Sequence, residues 1–267
     1  MEAFVEGQYF YRLIFSIGGL FLFMTLGLVF PYRKSKELHR PERWFNNLAF
    51  TFGNALLVRL FIPLSLVQII ELESLKPYKL LDFQAMNPWL LFAFGLILLD
   101  LAIYWQHRLT HKIPLLWRLH RVHHSDIEFD TTTAGRFHTL EILFSFALKA
   151  VIAVIFNLSA ASIIAFEILL NFSSLFNHTN IHFPDKIEKV LRWLLITPDL
   201  HRIHHSTYHK EMNSNFGFSI SLWDRLFKSF QNKGLNPQDS MTIGLIKFRS
   251  DKDQTLWALL KQPTLKD

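Results

Sequence analysis

From Tyr11 to Phe30 the chain runs for twenty residues with almost no charge. As a helix such a segment reaches about 30 Å, the thickness of a bilayer's hydrocarbon core. Gly18, Gly19 and Gly27 interrupt it, which a membrane helix tolerates because small residues let neighbouring helices approach. A cleaved leader would have a shorter apolar core, basic residues before it and a small-residue site after it. Here the basic cluster follows, so the run reads as a retained span. Further apolar runs cover about Asn47 to Ile70, with Arg59 inside, and about Pro88 to Tyr104. Two more, Leu140 to Phe156 and Ala160 to Phe176, are separated only by Asn157, Leu158 and Ser159. That short break predicts a helical hairpin that spans the bilayer or dips into it. Composition agrees: charged residues make up 19%, against about 25% in a soluble domain.

Loop charges orient the spans. Arg33, Lys34, Lys36, Arg40 and Arg43 outweigh Glu37 and Glu42 after the first run, whereas Glu71, Glu73 and Asp82 outweigh Lys76 and Lys79 after the second. The positive-inside rule puts the first loop in the cytoplasm and the N-terminus outside. The third span then delivers His107 and the polar chain after it to the cytoplasm. The net charge of +6 reads as a basic cytoplasmic face, and no signature of nucleic-acid binding accompanies it. Lys186 to Leu195 alternates basic and apolar residues, as in an interfacial helix or a surface helix of the cap. With no cysteine, disulfides, thiolate-bound haem and cysteine-bound iron–sulfur clusters are excluded.

Ten of the thirteen histidines fall in four clusters: His107 and His111; His120, His123 and His124; His178 and His182; His201, His204 and His205. Residues three and four apart share a helix face. Adjacent residues diverge by about 100°, so the last two rings of a His-x-x-His-His box can reach different metals. At this histidine frequency one such box is expected about 0.03 times by chance, and the chain has two. Ten imidazoles suit two ions with five ligands each. Neutral imidazole binds Zn, Cu, Fe and Ni alike. No Glu-x-x-His or His-Glu-x-x-His occurs, which excludes the carboxylate-bridged ferritin type and the zinc-protease type.

The order of these motifs resembles the fatty acid hydroxylase/sterol desaturase superfamily. The carrying residues are His107 to His111, His120 to His124, Asn177 to His182 and His201 to His205. Tyr104-Trp105, Thr197-Pro198-Asp199 and Trp223-Asp224-Arg225-Leu226-Phe227 look similar too. The resemblance covers roughly Pro88 to Phe230. It implies an all-α polytopic membrane bundle of about four to five spans, with a cytoplasmic helical cap carrying a histidine-rich dimetal site. Membrane spans would fill 1–87, a catalytic region 88–230 and a cytoplasmic tail 231–267.

The resemblance further implies two non-haem irons ligated by the ten histidines, with zinc as a possible substitute. O₂ and electrons from an external donor (ferredoxin, cytochrome b5 or a reductase) would convert a C–H bond of a lipid to an alcohol or an alkene. The lipid would be a fatty acyl, sterol or ether lipid drawn from the surrounding bilayer. The membrane would be a bacterial inner membrane, or the endoplasmic reticulum in a eukaryote. Thr139 stands where relatives often have Pro, which leaves His138, with Asn177 and Asp199, as accessory candidates. Metal-bound imidazoles usually donate their other N–H to a carboxylate or carbonyl. Asp100 lies two turns before His107 and is read as that acceptor, with Glu141, Asp199 and Asp224 as weaker candidates. Arg108, Arg121 and Arg202 read by default as surface arginines, with pairing to these acids or to lipid phosphates as the alternative. The competing classes are a metal transporter, which would place its ligands near mid-span, and a zinc-stabilised protein, which would use four ligands per ion.

Overall fold

The computed structural model describes residues 1–34, 40–81, 83 and 87–266. The first apolar run forms α1 (Gln8–Val29), helical throughout with one π turn over Ile14–Gly18. The second forms α2 (Arg40–Phe61) and α3 (Leu66–Ile70). The predicted continuous span is therefore broken. Pro63 cannot donate a helical hydrogen bond, and Ser65 restarts the helix through a reciprocal capping box with Gln68. Lys36, Glu37, His39 and Asp82 lie outside the described residues.

The third run forms α4 (Pro88–Lys112), opened by Asn87, whose side chain accepts from Trp89 N at 2.9 Å. It continues well past the expected end at Tyr104, because His107 and His111 are themselves helical. At Ile113 the backbone turns extended, as the residue before a proline tends to. Pro114 then opens α5 (Pro114–His124), which folds back along α4. The predicted hairpin is present as α6 (Thr139–Ile155) and α7 (Ala160–Asn177). Asn157 turns it in the left-handed region, at φ 45°, which asparagine tolerates better than most residues. Two shorter helices follow, α8 (Asp185–Leu194) and α9 (Pro198–His204). Among the described residues no strand forms, and extended pairing is limited to two isolated bridges.

Four segments are long and apolar enough to cross a membrane: Gln8–Val29, Pro41–Ile70, Pro88–Lys112 and Ala160–Asn177. Helix α6, at 17 residues, reaches about 25 Å and lies inside the same bundle. Leu99 and Ile103 of α4 pack with Ala153 and Val154 of α6, Ile163 and Phe166 of α7, and Leu66 of α3. At Gly95 a Cβ would lie 2.4 Å from Ser162 Oγ, so glycine is what lets α4 and α7 cross closely. Phe21, Phe52, Leu60 and Trp89 face outward, as expected of side chains that meet lipid rather than water.

Beyond the ends of α4 and α7, the chain builds a cap. Its polar centre is the buried Asp126, which accepts from Arg43 Nη1 at 2.7 Å, Thr133 Oγ1 at 2.8 Å and Asn47 Nδ2 at 3.0 Å. These bonds tie α2 to the loop leaving α5. Segment 231–266 lies across the cap: Met241 and Ile243 pack with Phe129 and Ile203, and Leu265 O accepts from Arg121 at 2.7 Å. Arg121 and Arg202 are thus not surface arginines, and Arg202 instead pairs with one of the candidate acids, Asp199. Both are fully buried, because each guanidinium has a set of backbone and side-chain acceptors fixed around it. Arg202 pairs with Asp199 at 2.7 Å and donates to Ile181 O at 3.0 Å. Arg108 donates to Tyr104 Oη at 2.9 Å and Phe227 O at 3.0 Å.

Candidate metal centre

Helices α4, α5 and α9 and the residue after α7 converge in the cap and bring nine imidazoles into two adjoining groups. His107, His111, His120, His124 and His204 form the first, and His123, His178, His201 and His205 the second. Within each group one nitrogen per residue lies within 4.8 Å of all the others. Each His-x-x-His-His box splits its final pair: His123 and His124 go to different groups, as do His204 and His205. The four-residue spacing keeps His120 with His124, and His201 with His205, on one helix face. His124 and His205 stack across the boundary, with ring centroids 4.5 Å apart.

The outer nitrogens decide which way the lone pairs point. His107 Nδ1 donates to Phe216 O, His204 Nδ1 to Ser214 O and His178 Nδ1 to Ser174 O, each at 2.7 Å. His120 Nδ1 lies 2.6 Å from Glu141 Oε1. With their protons on the outer nitrogens, these rings turn unprotonated Nε2 atoms inward. Nε2 of His107 is 3.1 Å from that of both His120 and His204. Nε2 of His178 is 3.2 Å from those of His123 and His205, and 3.0 Å from that of His201. In the first group the lone pairs of His107, His120 and His204 therefore face one another at this distance and repel unless a cation sits among them. Nitrogens of His111 and His124 are also buried without a hydrogen-bond partner, so the donor set fits metal ions in both groups.

Protonation does not compete for these nitrogens. Burial holds His178 down to about 4. Burial and the neighbouring His120 hold His204 down to about 3. Burial and adjoining imidazoles push His123, His124, His201 and His205 well below the usual range. All are neutral near pH 7, the form that ligates. Aromatic rings shield the groups: Phe137 stacks on His123 at 4.2 Å and 10°, and Trp117 packs 5.2 Å from His111.

The remaining candidates lie elsewhere. His182 stands apart from both groups, where Nδ1 meets Asp199 Oδ2 at 2.8 Å and the ring stacks on Tyr32 at 4.6 Å. Asp100 holds no imidazole. Its Oδ2 accepts from Trp223 Nε1 at 2.8 Å, while the Phe216 carbonyl takes the place expected for it beside His107. The carboxylate that does touch an imidazole of these groups is Glu141, since α6 starts at the cap and turns its first-turn acid toward His120. Asp224 works at one remove, accepting from Phe216 N and Gly217 N at 2.8 Å and so holding the segment whose carbonyl orients His107. His138 caps α6, accepting from Leu140 N at 3.3 Å. Asn177 donates to Phe218 O at 2.7 Å, and His209 begins a short helix outside both groups.

A cavity of about 700 Å³ opens among α1, α2, α4, α6 and α7 and reaches His107 and His120. Its wall also carries Arg12, Lys149 and Glu167. Reading the sequence did not single these out, although charges inside three apolar runs were a signal available there.

A bundle of apolar helices long enough to cross a membrane, with a cap that holds two adjoining imidazole groups, has the architecture of a membrane protein able to bind metal. Residues 92–229 match the fatty acid hydroxylase family, and the chain belongs to that family. It is 33% identical to the ornithine lipid hydroxylase OlsE of Rhizobium tropici over 57% of this chain and 44% of that protein. It is 30% identical to the alkylglycerol monooxygenase of Xenopus tropicalis over 57% of this chain and 33% of that one. For the human alkylglycerol monooxygenase the identity is 27% over 64% and 38%. The chain thus spans less than half the length of these relatives. No solved structure matches it.

Proposed function

We propose that this protein is a membrane-bound, histidine-ligated di-iron oxygenase that hydroxylates or desaturates a lipid. The observation that carries this reading is the contact between the two: a cavity among membrane helices ends on His107 and His120 of the first imidazole group. A lipid can reach that group without leaving the apolar phase. The named relatives act on lipids as hydroxylase or monooxygenase, which favours iron over the other metals that imidazole accepts. Bound iron supplies oxidation of an unactivated C–H bond with O₂ and two electrons from an external donor.

The chain's own residues hold and enclose the site. His107, His111, His120, His124 and His204 would hold one ion, and His123, His178, His201 and His205 the other. Glu141 and the carbonyls of Phe216, Ser214 and Ser174 fix ring tautomers, and Phe137 and Phe218 exclude water. The cap faces the cytoplasm in this reading. Arg33, the first of the basic residues after α1, lies on the cap side, where its backbone N donates to Asn180 Oδ1 at 3.0 Å and the neighbouring Tyr32 covers His182. A metal transporter is disfavoured because the ligands cluster at one end of the bundle, in the last turns of α4 and on α5 and α9, rather than at mid-span.

Lipid mass spectrometry of cells with and without the gene tests the reading, together with elemental analysis of the purified protein. The expected result is about two irons per chain and an oxygenated or desaturated lipid that depends on the gene. An unchanged lipidome under O₂ with an intact metal centre would refute it.

A further inference from the structure

The cavity has two unlike walls. On the α1 side it presents Leu13, Ile17 and Leu20. Along α6 and α7 run two polar stripes at helical spacing, Glu141, Ser145 and Lys149 on α6 and Glu167, Asn171 and Ser174 on α7. Both stripes begin at the metal centre: Glu141 meets His120, and the Ser174 carbonyl meets His178. The stripes end in a charged group, Lys149 on one and Glu167 on the other. Eight residues of α6 separate Glu141 from Lys149, a rise of about 12 Å.

Arg12 joins that group from α1. Its Nη2 lies 2.6 Å from Glu167 Oε2, while Lys149 Nζ stays 3.9 Å from Glu167 Oε1. Two cations thus share one carboxylate, leaving one positive charge in excess. Arg12 Nε is buried with no hydrogen-bond partner, and the Lys149 contact is too long for a hydrogen bond. Charge inside a membrane bundle is costly, and where it occurs it commonly marks a functional pathway. A wholly apolar ligand would leave this charge uncompensated and would gain nothing from the polar stripes.

We propose that Arg12 and Lys149 bind the anionic group, a carboxylate or a phosphate, of an amphiphilic lipid. The lipid's chain lies along the cavity, so that a carbon about 12 Å from the anion faces His107 and His120. This rests on the reading of the cavity as the lipid site. Glu167 holds the two cations side by side, and its own charge limits how tightly the anion is held.

Equilibrium binding to the full-length, detergent-purified protein tests this without turnover, using tritiated palmitate, hexadecyl phosphate and hexadecanol. At least one anion binds about tenfold more tightly than the alcohol, equivalent to about 1.4 kcal/mol. Preference for palmitate assigns a carboxylate, and preference for hexadecyl phosphate assigns a phosphate headgroup. Arg12→Gln and Lys149→Met each erase most of the preference and leave hexadecanol binding unchanged, whereas Arg12→Lys retains it. Glu167→Gln strengthens anion binding, a gain that misfolding does not produce. Equal binding of alcohol and both anions, or a preference that survives both Arg12→Gln and Lys149→Met, overturns the proposal. A protein that binds the anion in this way yet oxidises no lipid would sink the oxygenase reading and leave this one standing.

Discussion

Glu141 and Asp100 are both buried carboxylates on helices of the bundle, and their partners predict opposite consequences. Glu141 holds the outer nitrogen of His120 at 2.6 Å, so Glu141→Gln loosens one ligand of the first group. Loss of such a partner typically costs 10–100-fold in metal affinity or activity, and turnover together with metal content should fall by that order. Asp100 meets Trp223 instead, so Asp100→Asn should bind metal as the parent does. A fall in metal content for Asp100→Asn, with Glu141→Gln unaffected, would reverse these roles. The imidazoles themselves give the sharper contrast. His124 belongs to the first group and His205 to the second. His124→Ala and His205→Ala should each abolish turnover and lower metal per chain, whereas His209→Ala should do neither. Full metal and full activity in a monodisperse His124→Ala or His205→Ala protein would remove the assignment.

At the level of elements, the spacing of the histidine boxes was legible because it is local. Three- and four-residue intervals fix which rings share a helix face wherever the helix lies. The division of His123 from His124, and of His204 from His205, followed from the same geometry. The partners of the rings were legible only in part: Glu141 was among the candidate acceptors, but its pairing with His120, and the Phe216 and Ser214 carbonyls beside His107 and His204, depend on the crossing of α4, α5, α6, α9 and the chain that follows. For the same reason His182, identically spaced from His178, leaves the groups: α7 ends at Asn177, and with it the helical register. Arg121 and Arg202 look like surface residues in sequence, and tertiary acceptors bury them. Asp126 belongs to this hidden class and joins α2 to the loop after α5. Asp126→Ala removes the acceptor that Arg43, Asn47 and Thr133 share, although Arg43 keeps its pair with Asp130, and breaking a buried ion pair from one side costs up to about 3–5 kcal/mol. Thermal unfolding in detergent should show a clearly lowered midpoint, and a parental midpoint would count against the role of that junction.

Over the whole molecule, the expected sidedness is open to direct labelling because the chain has no cysteine. A cysteine replacing Lys34, beside the cap, should react with an impermeant reagent only in opened cells. One replacing Ser74, between α3 and α4, should react in intact cells. The reverse pattern would invert the topology. Helix α4 carries a second consequence. It runs unbroken from Pro88 to Lys112, and its 25 residues extend about 37 Å, so that its apolar part lies within the roughly 30 Å of hydrocarbon and its last turns reach the cap. The tilt of a membrane helix adjusts to the thickness of the bilayer around its apolar stretch. His107 and His111 ride on the far end of this lever, whereas His120, His124 and His204 are carried by other helices. Acyl-chain length in the host membrane is therefore a mechanical input to the geometry of the first imidazole group. Turnover in nanodiscs should pass through an optimum as the lipid chains are lengthened, and a flat response would show that the cap insulates its ligands from the membrane beneath them.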